Sequence, residues 1–543
     1  MAAAADDDRL SALTDDLLQH ILSFAPAREA AVSSVLSRRW RPLWRRTSVL
    51  NIDSRPYFPC PYDHYGAVDR FFRDATAALS AFLCRRSRRG TTLKKFTLFL
   101  GIVVYRLDRE CYDDEPEDDV RVAGLLADPA AAGLEELRIV CQPHNDYEKM
   151  YDPPLATLPC AGTIRVLELV NCNIEPPAAR LAFPCLADLT LRHCFLLEGR
   201  LQAMVDAAPA LTTLELVNLV EKAPEQPGSA ETEPYTYRIS HPFSLRIRLR
   251  CPTVTALVLK TYSGTDKIED SAITGIELDM PSLRSFRYKG VPLKLSLTSP
   301  APGLARVDID ATSQYCYWRY EPTSRMLPSF SSTRALKLRL NCIEDIIAGE
   351  KEHGSAILLP TFPNLKLLEL DGKYEYKNSN TVAAVASLLR SCPAMSELRL
   401  SLDMENDYRN GRKVRVPVGD TFRESKDRFE KLESMPSSHR GDVELDGTSK
   451  LPAGLTNNRA FSCLETSLRK VTLRCKASGV NCFEAQLAKF LVENAIVLEE
   501  MHVVDGSQFW LDHLFHKVER WRADSFRRKN LPDTAGFRVY QLS

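Results

Sequence analysis

Thirteen short segments of the chain share one alternation of apolar and polar positions. The template is L-x-x-L-x-L, often followed two residues later by Cys or Asn. It is read as LKKFTL from Leu93, LEELRI from Leu134, IRVLEL from Ile164, LADLTL from Leu186, LTTLEL from Leu211 and VTALVL from Val254. It continues as LRSFRY from Leu283, LARVDI from Leu304, TRALKL from Thr333, LKLLEL from Leu365, MSELRL from Met395, LRKVTL from Leu468 and LEEMHV from Leu498. Most starts lie 21 to 31 residues apart, the spacing of repeat architectures in which each unit supplies one strand. Alternation at the last two apolar positions predicts a short strand with one buried face. One such strand cannot hide that face alone, so neighbours must stack into a solenoid. Between strands, LQAMVDAAP (Leu201 to Pro209) and TVAAVASLLRSCP (Thr381 to Pro393) have helical spacing and predict helices on the convex side. The expected fold class is α/β.

The first fifty residues carry a different period. Thr14 stands where a helix N-cap is expected, with Asp15 and Asp16 in the first turn, where the helix dipole favours negative charge. Leu17, Leu18, Ile21 and Leu22 make one apolar face, and Pro26 stops the helix. A second helix is predicted from Arg28 to Leu36, and a third short element presents Trp40, Leu43 and Trp44 among arginines. Three short helices bury too little to stand alone. Their apolar faces need a partner, either the chain's own repeats, which the trio would cap, or another polypeptide. At the other end, the sequence from Leu468 reads strand, turn, helix (Glu484 to Asn494) and strand, with Leu487, Ala488, Leu491 and Val492 on one helix face.

Composition narrows the function classes. In 543 residues, Lys plus Arg and Asp plus Glu both number 71, so the basic excess of a non-specific nucleic-acid binder is missing. No run of about 18 apolar residues predicts a membrane span. The Ala- and Asp-rich start lacks the pattern of a secretory signal, so a cytoplasmic or nuclear protein is expected. The 15 cysteines include no C-x-x-C pair. Cys141, Cys172, Cys194 and Cys475 lie in repeat segments and read as small buried hydrophobes. No phosphate-binding glycine motif, nucleophile elbow or kinase set occurs. His513 and His516 share a helix face without a metal-like partner set. No catalytic residue, metal or cofactor is expected. Three polar stretches, 105–121, 221–240 and 403–462, read as mobile loops. Arg85, Arg86, Arg88 and Arg89, with Lys94 and Lys95 behind, read as a solvated linker, a nuclear-import signal or an anion patch.

The opening segment resembles the F-box motif. The pieces stand here as Leu13-Thr14-Asp15-Asp16-Leu17-Leu18-Gln19-His20-Ile21-Leu22-Ser23 and Ser34-Val35-Leu36-Ser37-Arg38-Arg39-Trp40-Arg41-Pro42-Leu43-Trp44. Thr14 replaces the usual Pro and Ala25 a bulkier apolar residue, each worth about 1 kcal/mol of lost apolar area. The repeats are similar to leucine-rich repeats. The C-terminal segment resembles the FBD domain of plant F-box proteins, with Leu491, Asn494, Ala495 and Leu498 matching its helix-end step.

The resemblance implies five stretches: an F-box over 8–53, a helical linker over 54–92, a leucine-rich-repeat solenoid over 93–402, a polar loop over 403–462, and an FBD-like repeat and cap over 463–543. It implies docking on a Skp-type adaptor, and through it a cullin, by Leu13, Leu17, Ile21, Leu22, Val35, Leu36, Trp40, Leu43 and Trp44. Trp40 and Trp44 are open to a second role in the trio's own packing. The implied function is substrate recognition in an SCF-type ubiquitin ligase, with no catalysis and no cofactor. The other reading is a ligase-independent repeat scaffold that binds proteins. Strand positions alternating with the buried leucines would face a target protein on the concave side. They are Arg192, Lys260, Arg287, Lys289, Lys337, Arg339, Glu369, Asp371 and Arg399, a mixed-charge surface with a basic middle; the same positions also read as ordinary solvated strand residues.

Overall fold

The computed structural model describes residue 10 onward, apart from 59–64, 102–116, 143–150, 175–180, 223–245, 262–274, 313–322, 348–358, 375–378, 405–454, 456–460, 476–482, 506–510 and 532–535, and positions 11, 90, 91, 198, 293 and 543. The chain divides into two compact units, one chiefly Met1–Thr261 and the other chiefly Pro281–Ser543.

In the first unit, three helices open the chain: α1 (Asp15–Leu22), α2 (Ala27–Val32) and α3 (Leu43–Arg46). They surround a small core of Leu18, Leu22, Ala30, Trp40 and Leu43, with Leu13, Ala25 and Trp44 packed against it. The second helix is shorter than its sequence suggests, because Ser33–Val35 tightens into a 3-10 turn. Thr14 occupies the N-cap of α1, but its side chain makes no capping hydrogen bond. That end is held instead by Arg39, whose Nε donates to Asp15 Oδ1 at 2.8 Å and whose Nη2 donates to Leu13 O.

Seven strands follow in one parallel ladder: β1 (Val49–Asp53), β2 (Lys95–Leu100), β3 (Glu136–Cys141), β4 (Val166–Val170), β5 (Asp188–Arg192), β6 (Thr213–Val217) and β7 (Ala256–Lys260). Each alternates buried leucine-type residues with half-exposed ones, as the template predicts. The first template leucine is also buried, at the turn into its strand. There one carbonyl receives two N–H groups from the next repeat. Glu135 and Glu136 donate to Lys94 O at 2.8 and 2.9 Å, and Ala187 and Asp188 donate to Arg165 O at 2.8 and 2.9 Å. This satisfies the backbone where the chain enters the sheet. Between β1 and β2 runs α4 (Tyr65–Arg89), whose backbone carries the Arg85 to Arg89 cluster; those side chains lie outside the described residues. The expected loop over 105–121 ends sooner, because α5 (Glu117–Leu126) begins inside its acidic run. The rest of that stretch, and most of 221–240, lies outside the described residues. The predicted helix at Leu201 is α6 (Arg200–Asp206). β1 was not legible as a strand. It carries Leu50 and Ile52 inward and ties the helices to the ladder, because Asn51 Nδ2 donates to Ser23 O at 2.7 Å and Ala25 O at 3.2 Å.

In the second unit eight of the described strands form one parallel ladder: β8 (Ser285–Lys289), β9 (Arg306–Ala311), β10 (Ala335–Cys342), β11 (Leu367–Tyr374), β12 (Glu397–Met404), β13 (Lys470–Cys475), β14 (Glu500–Asp505) and β15 (Arg538–Leu542). Helix α7 (Ser379–Ser391) is the second predicted repeat helix. Nearer the C-terminus come α8 (Ser462–Thr466), α9 (Phe483–Asn494) and α10 (Leu511–Arg528). The predicted loop over 403–462 and the side chains of Cys475, His513 and His516 lie largely or wholly outside the described residues.

Candidate functional site

Two surfaces collect the residues singled out above. The first is the outer side of α1, α2 and the 3-10 turn after it. The nine adaptor-docking candidates separate here. Leu17 and Ile21 on α1 and Val35 and Leu36 on the turn are exposed, Val35 by 83% and Leu36 by 70%. Leu22, Trp40 and Leu43 are buried in the trio's own core, and Leu13 and Trp44 are partly buried against it. These five therefore hold the helices in place; Leu22, Trp40 and Leu43 are not available to another molecule in this arrangement. The reason is helical geometry. On α1, Leu18 and Leu22 lie four apart on the inner stripe, and Leu17 and Ile21 lie four apart on the neighbouring outer one. Two exposed residues lie outside the predicted set: Phe24, 73% exposed after the end of α1, and Val32 at the end of α2. Phe24 holds the ring of His20 edge-on, with centroids 5.0 Å apart. The signal was present in the sequence, since Phe24 and Val32 extend the same apolar outer face, but neither sits on the quoted motif. The trio thus keeps a minimal core and leaves six large apolar side chains in solvent, which for so small a unit marks an interaction surface.

The second surface is the outward face of the ladders. All nine target-binding candidates lie on strand positions that alternate with buried residues. In the first unit, Arg192 and Lys260 meet at Glu215, at 3.3 and 2.9 Å. The other seven lie in the second unit, in two rows set by strand register. One row crosses the sheet as Arg287, Asp308, Lys337, Glu369 and Arg399. The next, two residues on, reads Lys289, Asp310, Arg339 and Asp371. Sign alternates strand by strand, so the expected basic middle is instead striped. Asp308 and Asp310, outside the predicted set, interleave the cations. Asp308 takes Arg287 at 3.6 Å and Arg306 at 2.9 Å. Asp310 takes Lys289 at 3.7 Å and Arg339 at 3.4 Å. Glu369 takes Lys337 and Arg399, both at 2.9 Å. Burial pushes the Glu369 carboxyl up, but the Lys337 hydrogen bond and charge, with Arg399 and Arg306, outweigh it and hold it below its ordinary range. For Arg339, burial is outweighed by Asp371 and Asp310, which raise it.

Among the described residues no group of three or more His, Cys, Asp or Glu is placed to hold a metal ion, and no helix is long and apolar enough to cross a membrane. Cys141, Cys172 and Cys194 are buried free thiols, with the first two sulfurs 3.9 Å apart. At the C-terminal segment Leu491, Ala495 and Leu498 are buried, and Asn494 Nδ2 donates to Phe490 O at 2.8 Å.

Comparison with known proteins gives two family matches. The F-box domain matches residues 10–51. The family described as FBD-associated F-box protein At5g56370, LRR repeats, matches residues 122–226. The chain is similar to the Arabidopsis thaliana F-box/FBD/LRR-repeat protein At2g26030, 21% identical over 506 residues and 91% of each chain. It is similar to the MEIOTIC F-BOX protein MOF of Oryza sativa subsp. japonica, 25% identical over 410 residues, covering 72% of this chain and 80% of that one. A putative F-box/LRR-repeat protein of Arabidopsis thaliana, At5g41840, is 36% identical over 89 residues, 16% of each chain.

Proposed function

We infer that this chain, a member of the plant F-box/leucine-rich-repeat/FBD family, is the substrate-recognition subunit of an SCF-type cullin–RING ubiquitin ligase. In this reading the helix trio docks on a Skp-type adaptor, and through it a cullin. The ladder of repeats is a leucine-rich-repeat solenoid that holds a target protein, and the segment over 463–543 is its FBD-like cap. The chain itself carries no catalytic group. It works by proximity in the cytoplasm or nucleus: a tethered target meets the ubiquitin-charged enzyme at high effective concentration.

The observation that supports this most strongly is the split between inner and outer residues of the trio. Leu18, Leu22, Ala30, Trp40 and Leu43 make a core, while Leu17, Ile21, Phe24, Val32, Val35 and Leu36 remain exposed. Covering a large apolar side chain is worth roughly 1.5–3 kcal/mol, so a partner that covers several gains enough to bind. The test is co-purification with a Skp-type adaptor. Wild type is expected to retain the adaptor. Leu17→Asp with Ile21→Asp is expected to lose it while melting at the wild-type temperature, since both positions face solvent. Leu43→Ala should behave in the opposite sense, costing about 2–5 kcal/mol of stability as a cavity in the trio's core. Retention of the adaptor by the double Asp variant would remove the ligase reading and leave the ladder as a ligase-independent protein-binding scaffold.

A further inference from the structure

The striped face of the second unit has a vertical order as well as a lateral one. The bridging carboxylates Asp308, Asp310 and Glu369 keep only 15–18% of their side-chain surface exposed. The cations around them, Arg287, Lys289, Lys337, Arg339 and Arg399, keep 35–60%. In the row of Arg287, Lys337 and Arg399 the acids thus lie low against the sheet and the longer basic side chains stand above them, so a molecule approaching there meets ammonium and guanidinium groups first. In the next row Asp371 is 41% exposed, level with the cations beside it. Each guanidinium has five N–H donors: Arg287 reaches Asp308 through Nε, and Arg399 reaches Glu369 through Nη1 and Glu397 through Nε and Nη2, which leaves one N–H on each Nη of Arg399.

Register fixes the spacing. Arg287, Lys337 and Arg399 share one row and sit on β8, β10 and β12, two strands apart each time. At about 4.8 Å per strand, successive cations start about 9.6 Å apart. A strand laid across them would match poorly, because its same-side residues recur at about 6.8 Å. A polyproline-II helix repeats every three residues at about 3.1 Å each, which places same-face side chains about 9.3 Å apart.

We propose that the outward face of β8 to β12 receives an acidic segment of the target protein in polyproline-II conformation, with carboxylates at every third position seated on Arg287, Lys337 and Arg399. This deepens the reading of the ladder as the target-holding surface and rests on it. The buried acids set specificity. They hold the cations upright and cancel enough charge that a randomly acidic surface gains little, while a segment with matching spacing meets all three cations at once.

The test uses the full chain and fluorescein-labelled peptides read by fluorescence anisotropy. The probes are five repeats of Glu-Pro-Pro, the same composition with its Glu residues clustered, and five repeats of Lys-Pro-Pro. The regular acidic peptide is expected to bind at least 10-fold tighter than the basic one and several-fold tighter than the clustered one, weakening as salt rises. Arg287→Gln, Lys337→Gln and Arg399→Gln together should cost 10-fold or more. Asp308→Asn with Glu369→Gln, which frees Arg287 and Lys337 and leaves Arg399 paired only with Glu397, should tighten binding and guards against loss through misfolding. Equal binding of regular and clustered peptides, equal binding of acidic and basic peptides, or an unchanged triple variant would overturn the proposal. So would tighter binding of a single-stranded oligothymidylate of equal charge. Adaptor capture, measured on the same preparations, separates the two readings: failure of the peptide arm with the adaptor retained removes only the acidic-segment proposal, whereas loss of the adaptor removes the ligase reading whatever the peptides do.

Discussion

Asn171, His193 and Asn218 adopt left-handed backbone, with φ of 54°, 53° and 48°. Each directly follows a ladder strand, and each gives its N–H to the last carbonyl of the next one: Arg192, Val217 and Lys260, at 2.9, 2.7 and 2.8 Å. Asn and His tolerate this region better than most residues, so the turn closes each strand at modest cost. Cys172 and Cys194 come next and drop into the core with no exposed surface. The Cys/Asn slot was legible in the repeat, but the left-handed turn that creates it was not, because a one-letter pattern carries no φ. Burial of these thiols has a chemical consequence. It pushes Cys160 and Cys463 up to about 11 and raises Cys194 further, while Cys185 is exposed. Only thiolate alkylates readily. At pH 8 in iodoacetamide, site-resolved mass spectrometry should find Cys185 modified and Cys160, Cys194 and Cys463 protected until denaturant is added. Rapid native labelling of Cys194 would contradict its reading as a packing residue.

Among elements, all thirteen template segments form ladder strands, and β1 and β15 join them without matching the template. VLNID alternates as the template does, but RVYQL carries Gln541 at the register position of buried Val503, and Thr47 and Gly536 stand where the template's leading leucine would fall. They are the outermost strands of their ladders among the described residues. The sorting of the helix trio was also hidden. Motif positions identify which residues matter, and only the packing of three helices decides which of them face inward. The C-terminal segment holds a further device that no motif announced. Arg522 on α10 is 4% exposed, and its guanidinium donates to Val492 and Ala495 carbonyls through Nη1 and to Ile496 and Leu498 carbonyls through Nη2, at 2.7 to 3.3 Å. Ser525 Oγ and Lys529 Nζ add bonds to Glu493 O at 3.0 and 2.6 Å. Together they satisfy the carbonyls that the end of α9 leaves over. Arg522→Ala would strand buried acceptors, so a loss of about 3–5 kcal/mol is expected in chemical denaturation. Arg522→Lys should recover little of it, because an ammonium lacks the planar fork. A variant as stable as wild type would show that solvent or α10 itself replaces these bonds.

Across the whole molecule, labour divides along the chain. The opening helices give up packing to keep an apolar surface in solvent, and the repeats supply strands whose outward rows carry charge. Both follow from short cores that are complete only with neighbours: the trio borrows β1 through Asn51, and each repeat leans on the next. The central claim is that the exposed surface of the trio is where an adaptor sits. Hydrogen–deuterium exchange of the full chain, with and without a purified Skp-type adaptor, tests it most directly. Protection is expected across residues 15–36, covering Leu17, Ile21, Phe24, Val32, Val35 and Leu36, with β2 to β7 unchanged. No protection there at saturating adaptor, or protection confined to the strands, would contradict it.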